Sequence, residues 1–393
     1  MSDVTSPATT PGGFLFCACQ GGAEAALKAR MAEVLPAAKP AAWRRGIVSF
    51  KLPPTATGPG LPDDLLERLV FARTAIHSLG QVSGDAEEAL AAAVVERIGR
   101  TGFANVHAWP RLVEPGPRGA EALAAADSIR RLLLAALGLD ARLDPVAGAG
   151  DLVLDVVLDT PDRWWVGWHR AMGTVTRWPG GIYPPAARPL PEGVVSRAWL
   201  KLDEAIATFG IQWRPGTRVV EFGCAPGGAC QRLLDAGLDV VGVDPALVDP
   251  TVAARPGFTQ WRMRAREVPV RRFAGVAWLV ADMNIDPAST LMSLGRVVTA
   301  RGVAVEGIVA TLKLPDWSRA AELPGWLAAF RDWGFDPVAR QLSSGGREIC
   351  VVARRPARGP RPAVRAKRAA VRAKRATGRR PLTPRRARRR PEA

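Results

Sequence analysis

The sequence lacks the long apolar runs that membrane proteins require. No stretch of its 393 residues approaches the roughly 20 consecutive apolar residues of a membrane-spanning helix. The first residues, MSDVTSPATTPGG, contain no basic segment followed by a long apolar one, so we expect no signal peptide. The length predicts two or three domains with sizeable cores.

Metal-ligand spacings are also missing. The chain has only three histidines, His77, His107 and His169, and five cysteines, and their spacings fit no zinc-binding pattern. We therefore expect no metal. An odd number of cysteines without a signal peptide indicates reduced thiols, so a cytoplasmic protein is expected.

The net charge of +17 is concentrated at one end of the chain. Residues 354–393 hold 17 of the 54 lysines and arginines but one acid, Glu392, whereas the preceding 353 residues hold 37 bases and 36 acids. This tail twice repeats the heptapeptide AVRAKRA and should be disordered alone. It can neutralise the phosphates of a nucleic acid without reading sequence. The alternative is a solubilising extension with no specific partner.

The first half predicts an α+β region over residues 13–178, after a disordered N-terminus at 1–12. Hydrophobic patterns predict strands at 13–19, 45–52, 105–112, 151–159 and 164–170, with helices at 24–34, 65–79, 86–100 and 121–137. Four tryptophans could stack on RNA bases, but packing in a core is favoured for them: Trp164, Trp165, Trp168 and Trp178. A proline-rich linker is predicted at 179–194.

A glycine-rich turn at 219–228, VVEFGCAPGG, organises the second half. An apolar strand, a glycine turn and a helix together present backbone N–H groups to a ligand at the carboxyl edge of an α/β sheet. A second strand ends in Asp244, about 20 residues after the turn, where an acid can accept hydrogen bonds from a ribose diol. The turn suits S-adenosylmethionine better than a dinucleotide because it lacks G-x-G-x-x-G.

The second half, residues 195–353, alternates strands and helices. After an amphipathic helix at 196–209, which Ser196 is placed to cap, the pattern predicts a Rossmann-like, doubly wound sheet of about seven strands. Strands are predicted at 218–222, 239–243, 258–262, 276–281, 306–312, 337–342 and 348–353, the last two as a closing pair. Helices are predicted at 228–236, 289–300 and 318–333.

Four charged residues stand where this sheet should present them. Asp282 and Lys313 end apolar strands, Glu348 begins the last strand, and Lys201 lies on the helix that enters the domain. Two amines beside two carboxylates provide what removal of a ribose hydroxyl proton needs. One lysine pKa would have to fall from about 10.4 to near 7, and we expect a second ammonium and partial burial to lower it.

These motifs resemble the FtsJ-like RNA ribose 2′-O-methyltransferases. The resemblance is carried by SRAWLKLDEA, CAPGG, VVGVDP, LVADM, TLKLP and a late glutamate before an apolar strand. It is closest to the type that methylates 23S ribosomal RNA and has an N-terminal THUMP-like RNA-binding region. It implies S-adenosylmethionine as cofactor, large-subunit ribosomal RNA as partner, and no membrane or DNA partner.

The resemblance also implies residue roles. Lys313 would be the general base of a Lys-Asp-Lys-Glu tetrad completed by Lys201, Asp282 and Glu348. The expected cofactor contacts are Ser196, Gly223, Ala225, Pro226, Gly227, Gly228, Asp244 and Asp282. Two positions depart from the family: Glu221 replaces the usual aspartate, and Arg264 or Arg266 stands near the usual adenine-binding acid, with Glu267 the nearest carboxylate.

Two other functions remain open from the sequence. A non-catalytic RNA- or ribosome-binding protein on a methyltransferase scaffold would fit the basic tail and the altered adenine region. A small-molecule O-methyltransferase is disfavoured because it has no evident use for the four charged residues and the tail.

Overall fold

The computed structural model describes residues 13–53, 64–99, 102–112, 117–140, 143–187 and 189–356. The disorder predicted for residues 1–12 and for the tail beyond residue 356 lies outside these ranges. The described chain forms an α/β fold with two mixed seven-stranded sheets and their helices. Among the helices of these ranges, none has the length and apolar character needed to cross a bilayer.

The first sheet has the strand order β2-β3-β1-β4-β7-β6-β5. All its neighbouring strands are antiparallel except β5 and β6. Its elements are β1 (Phe14–Cys19), α1 (Glu24–Val34), β2 (Lys39–Arg44), β3 (Ile47–Lys51), α2 (Leu65–Arg68), β4 (Ala72–Ser83), α3 (Glu87–Ile98), β5 (Asn105–Pro110), α4 (Pro117–Ala136), β6 (Leu152–Thr160) and β7 (Arg163–Arg170).

The helix predicted at 65–79 is wrong. Helix α2 ends at Arg68, and β4 then runs from Ala72 to Ser83 between β1 and β7. A short apolar run fits both helical and strand periods, and here pairing on both edges decides for the strand. Strand β2 was not predicted because its six residues, KPAAWR, are all exposed at the sheet edge and show no apolar alternation.

The second sheet has the strand order β10-β9-β8-β11-β12-β14-β13. Strands β8 to β12 are parallel, and β14 lies antiparallel between β12 and β13. Its elements are α5 (Ala198–Phe209), β8 (Arg218–Phe222), α6 (Gly228–Asp235), β9 (Asp239–Val243), α7 (Pro250–Ala253), β10 (Phe258–Trp261), β11 (Trp278–Ala281), α8 (Pro287–Val298), β12 (Gly307–Lys313), α9 (Leu323–Asp332), β13 (Asp336–Arg340) and β14 (Glu348–Arg354).

This topology positions a ligand site. The chain winds outward through β8, β9 and β10 and then crosses back to β11 on the other side of β8. The connections that leave β8 and β11 therefore run to opposite sides of the sheet. Ligands of open α/β sheets bind at such a point, outside the carboxyl ends of the strands. The predicted seven strands and the antiparallel closing pair are both present.

The segment between the two sheets is packed where the structure describes it. Short 3-10 turns occur at Pro179–Gly181 and Pro184–Ala187. Ile182 is buried, and a Cβ on Gly181 would lie 2.2 Å from the carbonyl oxygen of Arg73. These residues therefore pack against the first sheet. The domain boundary that the sequence places at 179–194 stays a prediction.

The fold continues slightly into the segment predicted as tail. Arg354 ends β14 and donates a hydrogen bond to the carbonyl of Phe209 at 2.7 Å. Arg355 donates to the carbonyl of Val305 at 2.7 Å, and its guanidinium lies over the ring of Phe335. These two arginines are therefore part of the second sheet and its surroundings.

Strand pairing brings together two histidines that the sequence keeps 62 positions apart. His107 on β5 and His169 on β7 lie on either side of Asp155 on β6, and all three are buried. His77 is elsewhere and stacks on Trp168 with ring centroids 4.5 Å apart. Spacing along the chain gave no sign of this cluster because three different strands provide its members.

Candidate active site

The glycine turn after β8 has a backbone that only glycine tolerates well. Gly223 and Gly227 have φ angles of 80° and 118°, in the left-handed region that side chains rarely adopt. A Cβ on Gly223 would also lie 3.0 Å from the carbonyl oxygen of Asp282. The peptide between Ala225 and Pro226 is cis. The turn therefore runs directly against the end of β11.

Ser196 lies against the start of α6. A Cβ on Gly228 would be 2.2 Å from the Ser196 hydroxyl oxygen, so glycine permits this close approach. The prediction that Ser196 caps α5 is wrong by one residue, because Arg197 is the N-cap and has no capping side-chain bond. The buried Ser196 hydroxyl has no hydrogen-bond partner within the described ranges, which leaves it available to a ligand.

Asp244 follows β9 and faces the same turn. Its carboxylate accepts a hydrogen bond from the backbone N–H of Ala225 at 3.3 Å and another from Ala246 at 2.9 Å. These bonds fix the acid beside the turn, as the sequence predicted.

Glu221, the acid that departs from the family pattern, is buried near the end of β8. Burial raises its pKa to about 8; a hydrogen bond from the Cys230 thiol opposes this, and the negative charges of Asp282 and Asp244 add to it. Its Oε2 has no hydrogen-bond partner among the residues that the structure describes. Two unpartnered polar oxygens, from Ser196 and Glu221, thus lie near the turn.

The four predicted charged residues form a closed ring of ion pairs. The Lys201 ammonium lies 3.2 Å from Asp282 Oδ2 and 2.9 Å from Glu348 Oε1. The Lys313 ammonium lies 2.7 Å from Asp282 Oδ1 and 2.5 Å from Glu348 Oε2. Each amine contacts both carboxylates, so the charges alternate and sum to zero.

Four different elements position the ring. Lys201 is in the first turn of α5, Asp282 follows β11, Lys313 ends β12 and Glu348 begins β14. Lys313 and Glu348 are direct partners in the antiparallel ladder. The Asp282 N–H also donates to the carbonyl of Phe222 at 3.1 Å, which ties the ring to the strand that precedes the glycine turn.

The electrostatics differ from the prediction of a lysine with a lowered pKa. Burial acts to lower the pKa of Lys313, but the Asp282 and Glu348 carboxylates outweigh it and raise that pKa above its ordinary value. For Asp282, burial acts to raise the pKa, and the two lysines overcome it and lower the pKa. The ring without ligand therefore holds an ammonium at Lys313, because two carboxylates counter the second lysine.

A cleft opens beside the ring. It is lined by Lys201, Asp282 and Glu348, together with apolar residues of α5, β12 and β14 and with Ala229 directly after the glycine turn. The ring side chains are 9–21% exposed, enough for contact with a ligand but well shielded from bulk water. The four predicted residues are thus together and next to the turn.

A loop held from several directions precedes Glu348. Buried Glu204 on α5 accepts hydrogen bonds from the backbone N–H groups of Ser343 and Ser344, both at 2.7 Å, and from the Ser343 hydroxyl at 2.9 Å. Gln20, after β1, donates to the carbonyls of Leu342 and Gly345. The sequence analysis did not single out these residues; the only signal was an acid three positions after Lys201 on one helix face.

The four tryptophans named in the sequence analysis pack inside the protein, as predicted. Trp164, Trp165 and Trp178 are buried, and partly buried Trp168 stacks on His77. Trp43, which the sequence did not single out, is 60% exposed on the edge strand β2, and the Lys28 ammonium lies 4.6 Å from its ring centroid. An exposed aromatic ring beside a cation is suited to hold an unstacked base.

The sequence comparisons agree with the resemblance found in the motifs. The FtsJ-like methyltransferase family matches residues 194–295. A ribosomal RNA large subunit methyltransferase M from Halorhodospira halophila is 33% identical over 190 residues, which cover 47% of this chain and 53% of that protein. A protein of the same name from Alkalilimnicola ehrlichii is 32% identical over 209 residues, which cover 48% of this chain and 53% of that protein. The predicted resemblance is confirmed.

The extent of these matches is limited. The chain spans about half the length of the curated relatives it matches. Among solved structures, TrmN from Thermus thermophilus is 16% identical, with 87% of this chain and 99% of TrmN covered and a TM-score of 0.32. A similarity at that level carries no argument about function.

Proposed function

We propose that this protein is an S-adenosylmethionine-dependent RNA methyltransferase that modifies a ribose 2′-hydroxyl of 23S ribosomal RNA in the cytoplasm. The observation that carries the proposal is the closed ring of Lys201, Asp282, Lys313 and Glu348 beside the glycine turn. Relatives that are named large-subunit ribosomal RNA methyltransferases support the RNA class.

The residues around the turn fit the cofactor. Gly223, Gly227 and Gly228 leave the backbone of the turn without side chains at three positions, and the Ser196 hydroxyl lacks a partner among the described residues. Asp244, beside the turn, would accept hydrogen bonds from a ribose diol. When bound, S-adenosylmethionine supplies an electrophilic methyl group on a sulfonium. The expected contacts are Ser196, Gly223, Ala225, Pro226, Gly227, Gly228, Asp244 and Asp282.

The adenine end of the cofactor would meet an altered environment. Glu267, the nearest acid after β10, accepts a hydrogen bond from the backbone N–H of Arg264 at 3.1 Å and so caps a short 3-10 turn. Its carboxylate is engaged locally, which favours backbone rather than carboxylate recognition of the adenine amino group.

Lys313 is the proposed general base. A ribose hydroxyl that enters the ring can displace a carboxylate contact of Lys313, which removes part of the interaction that raises its pKa. Lys201 contacts both carboxylates, so neither is left unpaired when Lys313 loses its proton. Lys313 then accepts the 2′-hydroxyl proton as the oxygen attacks, and Asp282 and Glu348 hold the amine in line with it.

RNA binding would involve other parts of the chain. We propose that the predicted THUMP-like region contributes Trp43 on the exposed edge of the first sheet and Lys28 on helix α1, and that the basic tail adds non-specific phosphate contacts. Because Arg354 and Arg355 pack in the fold, a truncation after Pro356 isolates the tail. It should weaken RNA binding and reduce the slope of log affinity against log salt; an unchanged slope would exclude the tail.

The test is methyl transfer by Lys313→Met, which keeps the length of the side chain and removes the amine. We expect a roughly 10²- to 10⁴-fold loss of single-turnover transfer to 23S ribosomal RNA, with cofactor affinity by calorimetry little changed. Arg301→Ala, at an exposed position, is the control and should be as active as the native protein.

Three outcomes separate the candidate functions. Near-normal transfer by Lys313→Met would contradict the base assignment. An absence of cofactor binding to the native protein would favour a non-catalytic RNA-binding protein. If the linkage that follows the methylated nucleotide remained cleavable by alkali, the methyl group would be on the base, and the ribose 2′-hydroxyl would be contradicted as acceptor.

A further inference from the structure

The buried cluster in the first sheet has the ligand types of a transition-metal site. His107, Asp155 and His169 come from the neighbouring strands β5, β6 and β7. His107 is the Cα partner of Asp155, and His169 is the partner of Val153, two residues before Asp155, so all three side chains lie on one face. One ligand atom from each lies within 4.8 Å of the others.

Hydrogen bonds around the cluster orient its ligands. The Nε2 of His169 lies 2.7 Å from the carbonyl oxygen of Thr176. Because a carbonyl only accepts, Nε2 carries a proton and Nδ1 faces Asp155. The Nε1 of Trp109 donates to Asp155 Oδ1 at 3.1 Å. Metal-binding histidines and carboxylates are held by outer partners of these kinds.

His107 is the member that a structural ion pair does not explain. Its side chain is fully buried, neither ring nitrogen has a hydrogen bond of good geometry within the described chain, and Nδ1 lies 3.9 Å from Asp155 Oδ1. Burial, followed by the charges of His169 and Arg130, holds its pKa well below the usual value, against a weak opposing effect of the Pro145 carbonyl. A buried imidazole without a well-formed hydrogen bond needs a reason.

We propose that His107, Asp155 and His169 bind a divalent transition-metal ion of the zinc class. Two imidazoles and one carboxylate are ligands that such ions take, with a fourth position left for water or a further group. Ligand atoms about 2.0 Å from a tetrahedral zinc lie roughly 3.3 Å apart, so small side-chain rotations bring His107 in and separate Asp155 from His169. The ion would tie together three strands of the first sheet.

The competing account is an ion pair without metal. In that state, burial acts to lower the pKa of His169, but Asp155 outweighs it and raises that pKa, which favours a protonated imidazole beside a carboxylate. This pair leaves His107 without a role. The two accounts therefore differ in what replacement of His107 does to metal binding.

The experiment is zinc and cobalt binding by the full chain with two matched variants. His107→Phe fills the buried space of the imidazole without a ligand atom. His77→Phe replaces the histidine that stacks on Trp168 outside the cluster. After removal of metal, each protein is titrated with Zn²⁺ or Co²⁺ alone, and metal content, the visible absorption of Co²⁺ and the melting temperature are measured.

We expect the native protein and His77→Phe to bind about one ion per chain with a rise in melting temperature, and His107→Phe to lose both while still melting cooperatively. No stoichiometric metal in the native protein, or equal binding by His107→Phe, would overturn the proposal. So would a strong near-ultraviolet thiolate-to-cobalt band, because it would assign the metal to the buried cysteines. None of these readouts depends on methyl transfer.

Discussion

The two seven-stranded sheets both gather ionisable side chains, but at different positions along their strands. In the second sheet, Asp282, Lys313 and Glu348 stand at strand ends, and the ring side chains are 9–21% exposed. In the first sheet, His107, Asp155 and His169 lie within their strands, and their side chains are 0–6% exposed. Strand ends of a parallel sheet present charges to a ligand, whereas a sheet interior admits at most an ion.

The two regions share a hydrophobic core, and both also contact the loop that precedes Glu348. Gln20 and the carbonyl of Val70, both from the first sheet and its connections, hold the loop at residues 341–346 that leads into Glu348. Buried Glu204 holds the same loop from α5. Both regions therefore hold the loop before Glu348, and the predictions below test how separate the two regions are.

Among the substitutions that test ligand binding and positioning, the largest effect is expected from Gly228→Ala in the second sheet. The new methyl group would lie 2.2 Å from the Ser196 hydroxyl and 2.8 Å from the Ser196 carbonyl oxygen. Because the second contact is with the backbone, α5 or the turn must shift, which costs about 1–3 kcal/mol. We expect S-adenosylmethionine affinity to fall at least about tenfold by calorimetry. Gly325→Ala on α9, with open space around its Cβ, is the control. Unchanged affinity in Gly228→Ala would mean that the cofactor binds elsewhere.

An intermediate effect is expected where the regions meet. In Glu204→Gln the side chain keeps its shape, but one of its two acceptor oxygens becomes an NH₂ group that faces backbone donors. We expect a loss of about 1–3 kcal/mol in the free energy of unfolding. Methyl transfer should fall more than cofactor affinity because the loop leads to Glu348. Glu96→Gln, at an exposed position on α3, is the control. Equal losses of methyl transfer and of cofactor affinity in Glu204→Gln would contradict a positioning role.

A third prediction concerns the pH dependence of stability through Glu221. Its pKa is about 8 in the fold and near 4.3 in the unfolded chain, so the folded state binds more protons between those values. Stability from this group is present at low pH and is lost as pH rises through that window. Glu221→Gln should therefore have a flatter melting-temperature profile from pH 5 to 8 than the native protein or Glu192→Gln. Parallel profiles would refute the raised pKa.

The sequence predicted the second sheet better than the first. Apolar strands that end in glycine or a charge are distinctive, and the ends of parallel strands meet at one edge, so Lys313 and Asp282 could be placed together. The direction of the Lys313 pKa shift was wrong, because the expected effects of burial and the second ammonium are outweighed by the two carboxylates that contact the amine. His107 and His169 could not be paired without the strand order of the first sheet, and exposed Trp43 lay on a strand with no apolar pattern.

Ribose methylation of 23S ribosomal RNA is the most direct measure of the central claim. RNA from cells without this protein would be compared, nucleotide by nucleotide, with RNA from cells that carry the native protein or Lys313→Met. We expect one 2′-O-methyl group that the native protein restores and Lys313→Met does not. Restoration by Lys313→Met, or no ribose methyl group that depends on the protein, would contradict it.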